Sequence, residues 1–114
     1  MQYLIIGLDG KDKNAKKRRM AVRKDHIKLG DELLKSGNMW YGAAIKNDED
    51  EMIGSALFMD FDTEDELQSW LDKEPYVVGN VWESYEVHKC STRDPWQFNR
   101  SKEWFEKRES DCTK

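Results

Sequence analysis

Of the two histidines in this chain of 114 residues, His26 is the one placed to do chemistry. It lies in a stretch from about Ala15 to Ser36 in which Val22, His26, Leu29 and Leu33 recur at helical spacing, so the imidazole belongs to an inward stripe. An imidazole titrates near neutrality and can take up and return a proton, and a carboxylate bonded to its other nitrogen would fix the tautomer and stabilise the imidazolium. Arg23, three residues earlier on the same side of the helix, is in reach of a substrate carboxylate or enolate through a two-pronged contact. Ser55 and Tyr76 can add hydrogen bonds. These residue types suggest proton abstraction next to a carbonyl, followed by isomerisation or loss of a leaving group. Each also has a plain structural use. An inward histidine also reads as a satisfied core residue, Arg23 can pair with Asp60 or Glu74, and Ser55 sits in no Gly-x-Ser-x-Gly elbow. His88, near the end of a strand, has no partner nearby in sequence and is given no role.

The elements that must position these groups follow from periodicity. Gln2–Leu8 is an almost continuous apolar run, as expected of a strand buried on both faces. The helix from Ala15 follows and has Gly37 as its stop. Met39–Lys46 and Met52–Phe61 read as a hairpin around the acidic turn Asp48-Glu49-Asp50-Glu51. Thr63-Glu64-Asp65-Glu66 fits a capping box opening a second helix, which buries Leu67, Trp70 and Leu71 and stops before Pro75. A last strand, Val81–His88, puts Val81, Tyr85 and Val87 on one face and Trp82, Ser84 and His88 on the other. The order βαββαβ predicts an α+β, ferredoxin-like antiparallel sheet with both helices on one face. The other face, holding Trp82, would then be a large bare apolar patch, so a homodimer through the open sheet face is expected.

Composition bounds the rest. Thirteen aromatics, five of them Trp, are too many for a disordered chain, and the length suits one domain. Lys11 to Lys35 carries ten Lys or Arg against four acids, a net of +6, whereas Asn47 to Glu74 carries eleven acids against one Lys, a net of −10. A basic side and an acidic side are expected. The cluster Lys16-Lys17-Arg18-Arg19 reads as a solvated helix face, and a pI near 5.2 argues against a nucleic-acid binder. The acidic turn lacks the glycine and glutamate of an EF-hand spacing. Two histidines and two distant cysteines make no convergent ligand set, and no phosphate-binding glycine loop is present, so neither metal nor cofactor is expected. No apolar run approaches a bilayer span, and the segment around Leu4-Ile5-Ile6 is too short for a signal-peptide core, so a cytoplasmic protein without membrane contact is expected. Cys90 and Cys112 allow one bridge at most. After Cys90 the segment 91–114 is an appended helical tail. Trp96, Phe98, Trp104 and Phe105 in it need a surface to dock on, in their own subunit or a partner.

The stretch from Lys16 to His26, with Val-Arg-x-x-His at its end, resembles the signature of the YCII-related (YciI-like) family. Gly42, the run Gly54-Ser55-Ala56-Leu57-Phe58, and Glu74-Pro75-Tyr76 before Gly79-Asn80-Val81-Trp82-Glu83 agree in order and spacing. The resemblance covers residues 1–90. It implies a dimeric α+β barrel similar to muconolactone isomerases, with a pocket between helix and sheet that holds an active-site His and Asp. A dehydrochlorinase of aromatic breakdown is among the relatives. By position the histidine is His26, and Glu74 stands where the family has Asp, one methylene longer. The resemblance thus implies His26 and Glu74 as a catalytic pair, and the residue chemistry adds Arg23, Ser55 and Tyr76 as groups binding a small anionic substrate. Asp72 stays open as the partner of His26. The other reading is a non-catalytic module, binding a small ligand or a protein, in which the exchange of Asp for Glu accompanies lost chemistry.

Overall fold

A computed structural model describes residues 1–112, with the side chains of Ser110 to Cys112 left aside. Its elements are β1 (Gln2–Asp9), α1 (Ala15–Ser36), β2 (Met39–Lys46), β3 (Met52–Asp60), α2 (Glu64–Leu71), α3 (Pro75–Val78), β4 (Trp82–Cys90) and α4 (Lys102–Cys112). The strands form one sheet in the order β2-β3-β1-β4, every neighbouring pair antiparallel, which is the expected ferredoxin-like topology. Alternation decides the two faces. Tyr3 and Ile5 of β1 and Leu57 and Met59 of β3 point to one side, where Leu67, Trp70 and Leu71 of α2 cover them and Val22, Leu29 and Leu33 of α1 pack against the cluster.

The helix ends follow the expected chemistry. Gly37 closes α1 at φ 88°, and its N–H donates to the Leu33 carbonyl. The Thr63 hydroxyl accepts from the Glu66 N–H at the start of α2, while the Glu66 carboxylate accepts from Asp62 N–H rather than from Thr63. Pro75 does more than end a helix. It occupies the first turn of the separate short helix α3, whose N-cap is Glu74. The acidic turn is built around Asn47, whose Oδ1 accepts from the N–H groups of Glu49 and Glu51.

One expectation about the sheet is overturned. Leu8 pairs with Ser84 and Asp9 with Trp82, so Glu83 is an extra residue in β4 and the alternation slips there. Trp82 therefore joins Tyr85 on the helix-covered side, buried in the core with its ring against Gly7. A Cβ on Gly7 would lie 2.3 Å from that ring, which is why this strand position carries no side chain. The uncovered face owes its apolar character to Leu4, Ile6, Phe58 and Tyr41 instead, with Leu4 paired to Phe58 and Phe58 to Tyr41.

Beyond β4 the tail is anchored at Thr92, whose N–H and hydroxyl both donate to Gln2 Oε1. Trp96 packs on Trp40 with ring centroids 5.1 Å apart. Asp94 to Gln97 forms a turn, so the helix of the tail starts later than its aromatic spacing suggests. Phe98, Trp104 and Phe105 are exposed, with Trp104 between the guanidinium groups of Arg100 and Arg108. The bridge open to Cys90 and Cys112 falls on a side chain outside the described ones. No helix of the described residues is long and apolar enough to cross a membrane.

Candidate active site

The inward stripe of α1 delivers His26 to the Glu74-Pro75-Tyr76 corner. Pro75 fixes its own φ and keeps Glu74 extended, at φ −62° and ψ 121°, which turns the Glu74 side chain back over the start of α3. There Glu74 Oε1 accepts from the Tyr76 N–H at 3.2 Å and meets His26 Nδ1 in a short hydrogen bond. Glu74 is 1% exposed and the His26 side chain 15%. An ionised carboxylate can only accept, so facing one a neutral imidazole would carry its proton on Nδ1 and its lone pair on Nε2. Glu74 Oε2 is buried without a hydrogen-bond partner among the described residues. Asp72, the alternative partner, is exposed and accepts from Gln68 Nε2.

A second contact fixes the plane of the imidazole. The Tyr76 ring lies parallel to it, 7° from coplanar with centroids 3.7 Å apart. The guanidinium of Arg19 covers a Tyr76 ring at 4.7 Å from its centroid. Burial pushes the Tyr76 phenol above its usual range, with the nearby charges of Arg19 and Arg23 opposing the rise.

Arg19 is the residue of this region that a count of charges misplaces. It was expected on a solvated basic face, yet it is only 3% exposed, while Lys16 and Lys17 are indeed solvated. Its NH1 group donates to both oxygens of buried Asp9, at 3.0 and 2.9 Å, and its NH2 group to the Gly54 carbonyl and Ser55 Oγ. Ser55 Oγ also accepts from Trp82 Nε1 at 3.2 Å. Ser55 thus spends its acceptor capacity inside the protein, as a strut between Arg19 and Trp82, and keeps only its O–H to offer. The spacing Ala15, Arg19, Val22, His26 on one side of the helix carried the signal for Arg19.

Between α1 and the β2–β3 half of the sheet lies a cleft of about 270 Å³, walled by Arg19, Arg23, His26, Ser55 and Tyr76, with small residues Gly42 and Ala44 on the sheet side. All of the expected site residues except Glu74, which stands behind His26, line it. Arg23 is half-buried, and among the described residues it pairs with neither Asp60 nor Glu74 nor any other carboxylate. The arrangement therefore combines an oriented imidazole, a guanidinium with no carboxylate partner among the described residues and a tyrosine around one small cleft. His88 lies elsewhere, on the exposed edge strand, with Nε2 2.9 Å from Glu86 Oε2. Among the described residues no three His, Cys, Asp or Glu side chains gather as metal ligands would.

Comparison with known proteins adds two findings. The sequence model of the YCII-related domain matches residues 1–91. Among solved structures, the 5-chloro-2-hydroxyhydroquinone dehydrochlorinase of Burkholderia phenoliruptrix, in complex with 2,5-dihydroxybenzoquinone, superposes with a TM-score of 0.68 at 20% identity. The superposition covers 80% of this chain and 94% of that one, a likeness of fold. The comparison with curated proteins gave no match.

Proposed function

The chain belongs to the YCII-related family, and from that premise we propose that it is a small lyase or isomerase that removes a proton next to a carbonyl, with His26 as the base. One observation carries the reading: the His26 ring is held at Nδ1 by buried Glu74 and flat against Tyr76, while Nε2 has no hydrogen-bond partner among the described residues. Nε2 takes the proton from the carbon beside the carbonyl. The C–H electron pair becomes a C=C bond and the carbonyl becomes an enolate, which Arg23 stabilises by charge. Collapse of the enolate then either returns the proton at another carbon, an isomerisation, or expels a leaving group with its electron pair, an elimination. Glu74 holds the tautomer and balances the imidazolium charge. Substrates of the enol or phenolic acid class suit this cleft, and the solved relative, a dehydrochlorinase bound to a dihydroxybenzoquinone, points the same way. We place the chain in the cytoplasm as a homodimer through the open sheet face, where Leu4, Ile6, Phe58 and Tyr41 would be covered.

The test is solvent deuterium exchange, followed by NMR over a panel of enolisable 2-oxo acids and halogenated hydroxyquinols. A substrate should exchange its α-hydrogen, and His26→Gln should slow that exchange by about 100-fold or more without abolishing binding. Ligands that bind with no exchange in the wild-type protein would support a binding module instead. Sedimentation of wild type against Phe58→Glu tests the dimer, which the variant should dissociate.

A further inference from the structure

A second and larger cavity, about 590 Å³, opens beneath the first turns of α1. Arg19 and Met52 line both it and the His26 cleft. The two spaces also follow one another along the same pair of elements. On α1 the walls run from Lys16 and Arg19 to Arg23 and His26, and on the hairpin from Met52 and Asn47 at its tip back to Ala44 and Gly42. We infer that they are two lobes of one groove, and that the ligand is an elongated amphiphile. In this reading its reactive carbonyl or enol end lies at His26, its apolar body fills the outer lobe, and a terminal carboxylate or phosphate meets Lys11, Lys13 and Lys16. The inference rests on the proposed chemistry for the placement of the reactive end only.

The outer lobe has the character such a ligand needs. Leu8, Met20, Met52 and Ile53 give it an apolar wall. Of its charged groups, Asp9 is neutralised by Arg19, and Asp12 by Arg18 through contacts of 2.6 and 2.8 Å. Lys11, Lys13 and Lys16 have no carboxylate partner among the described residues, and of the carboxylates lining the lobe only Glu51, at the end of the acidic turn, is left without a cation partner among the described residues. The first turn of α1 holds no acidic residue, and Asn14 makes no side-chain cap, so the local field also favours an anion. Lys16 and His26 are ten residues apart on one helix, about 15 Å at helical rise, which sets the length of the ligand. The lobe's volume falls within the ordinary range for small-molecule sites, whereas the cleft alone falls below it.

Two fluorescent probes with the same aromatic body test this on the full chain: 1-anilinonaphthalene-8-sulfonate, which is anionic, and N-phenyl-1-naphthylamine, which is neutral. Replacing Lys11, Lys13 and Lys16 together by Gln should weaken the sulfonate about tenfold and shift the neutral dye less than twofold. Met20 is half exposed, so Met20→Glu adds a negative charge to the wall without disturbing the core, and it should weaken the sulfonate selectively too. Amide shifts induced by the sulfonate should centre on residues 8–20 and 47–53. Decanoate or decyl phosphate should displace it, and the more effective of the two names the head group. Equal binding of the sulfonate by wild type and triple variant, shifts centred on Leu4, Ile6 and Phe58, or displacement by neither amphiphile would overturn the inference. The dye has no α-hydrogen to lose and is not turned over. Its binding thus judges the lobe, and deuterium exchange judges the chemistry, independently.

Discussion

The protein contains two histidine–glutamate pairs that are chemically alike and physically opposite. His88 and Glu86 stand two residues apart on one face of an edge strand, 52% and 68% exposed, and either side chain can turn into water. His26 and Glu74 come from elements 48 residues apart, 15% and 1% exposed, with the histidine ring stacked and the carboxylate tied to a helix start. The same two groups are a loose surface contact in one place and a buried, fixed pair in the other. What separates them is the number of independent contacts that hold each partner where it is, rather than the partner's identity.

The distinction can be broken most easily at the deepest pair. Asp9→Ala leaves the Arg19 charge buried without its counter-ion, and urea unfolding should show a loss of about 3–5 kcal/mol. A loss under about 1 kcal/mol would show that depth is not what matters. Glu74→Ala removes the cap of α3 and the partner of His26 and should cost about 2–3 kcal/mol, against about 0.5 kcal/mol or less for Glu86→Ala. Equal losses would erase the contrast between the two histidines. Long-range proton–nitrogen NMR sharpens it further, because the neutral ring of His26 should carry its proton on Nδ1 and that of His88 on Nε2, each facing its glutamate.

Two pH effects are smaller. The Tyr76 phenol is raised by burial, so its contribution to stability is complete below about pH 10 and is lost as the pH climbs past it. Tyr76→Phe should flatten that alkaline limb in thermal melts. Asp12 is held well below the carboxylate range by its hydrogen bonds to Arg18. Its contribution is present above about pH 4 and disappears as acid titrates it. The pair is solvent-facing, so high salt should shrink the effect and Asp12→Asn should remove it.

Much of this was legible because most elements obey a single period. The apolar run of β1, the inward stripe of α1 and the capping box at Thr63 each name their element without help from the tertiary structure. Trp82 falls on the other face because Glu83 makes a bulge with no glycine to mark it, and one uncounted residue puts Trp82 out of step with Ser84 and His88 beyond it. Arg19 was hidden by its neighbours: within Lys16-Lys17-Arg18-Arg19 a count of charges says solvent, and only its position relative to Ala15, Val22 and His26 says interior. Pro75 was read as a stop, which it is for α2, while its equal fitness for the first turn of a new helix went unread. That second role is what carries Glu74 toward His26 and leaves Asp72 in water.

The bulge at Glu83 has a consequence for how this protein tolerates change. Its side chain is exposed, so a library of all twenty amino acids at position 83 should be nearly silent. Removing the codon altogether is another matter, since it would draw Trp82 out from over Gly7 or force the rest of the strand to trade its inner and outer residues. Position 83 is thus a place where the genetic lesion that matters is a change of length, and a survey limited to substitutions would rank it among the least important residues of the chain.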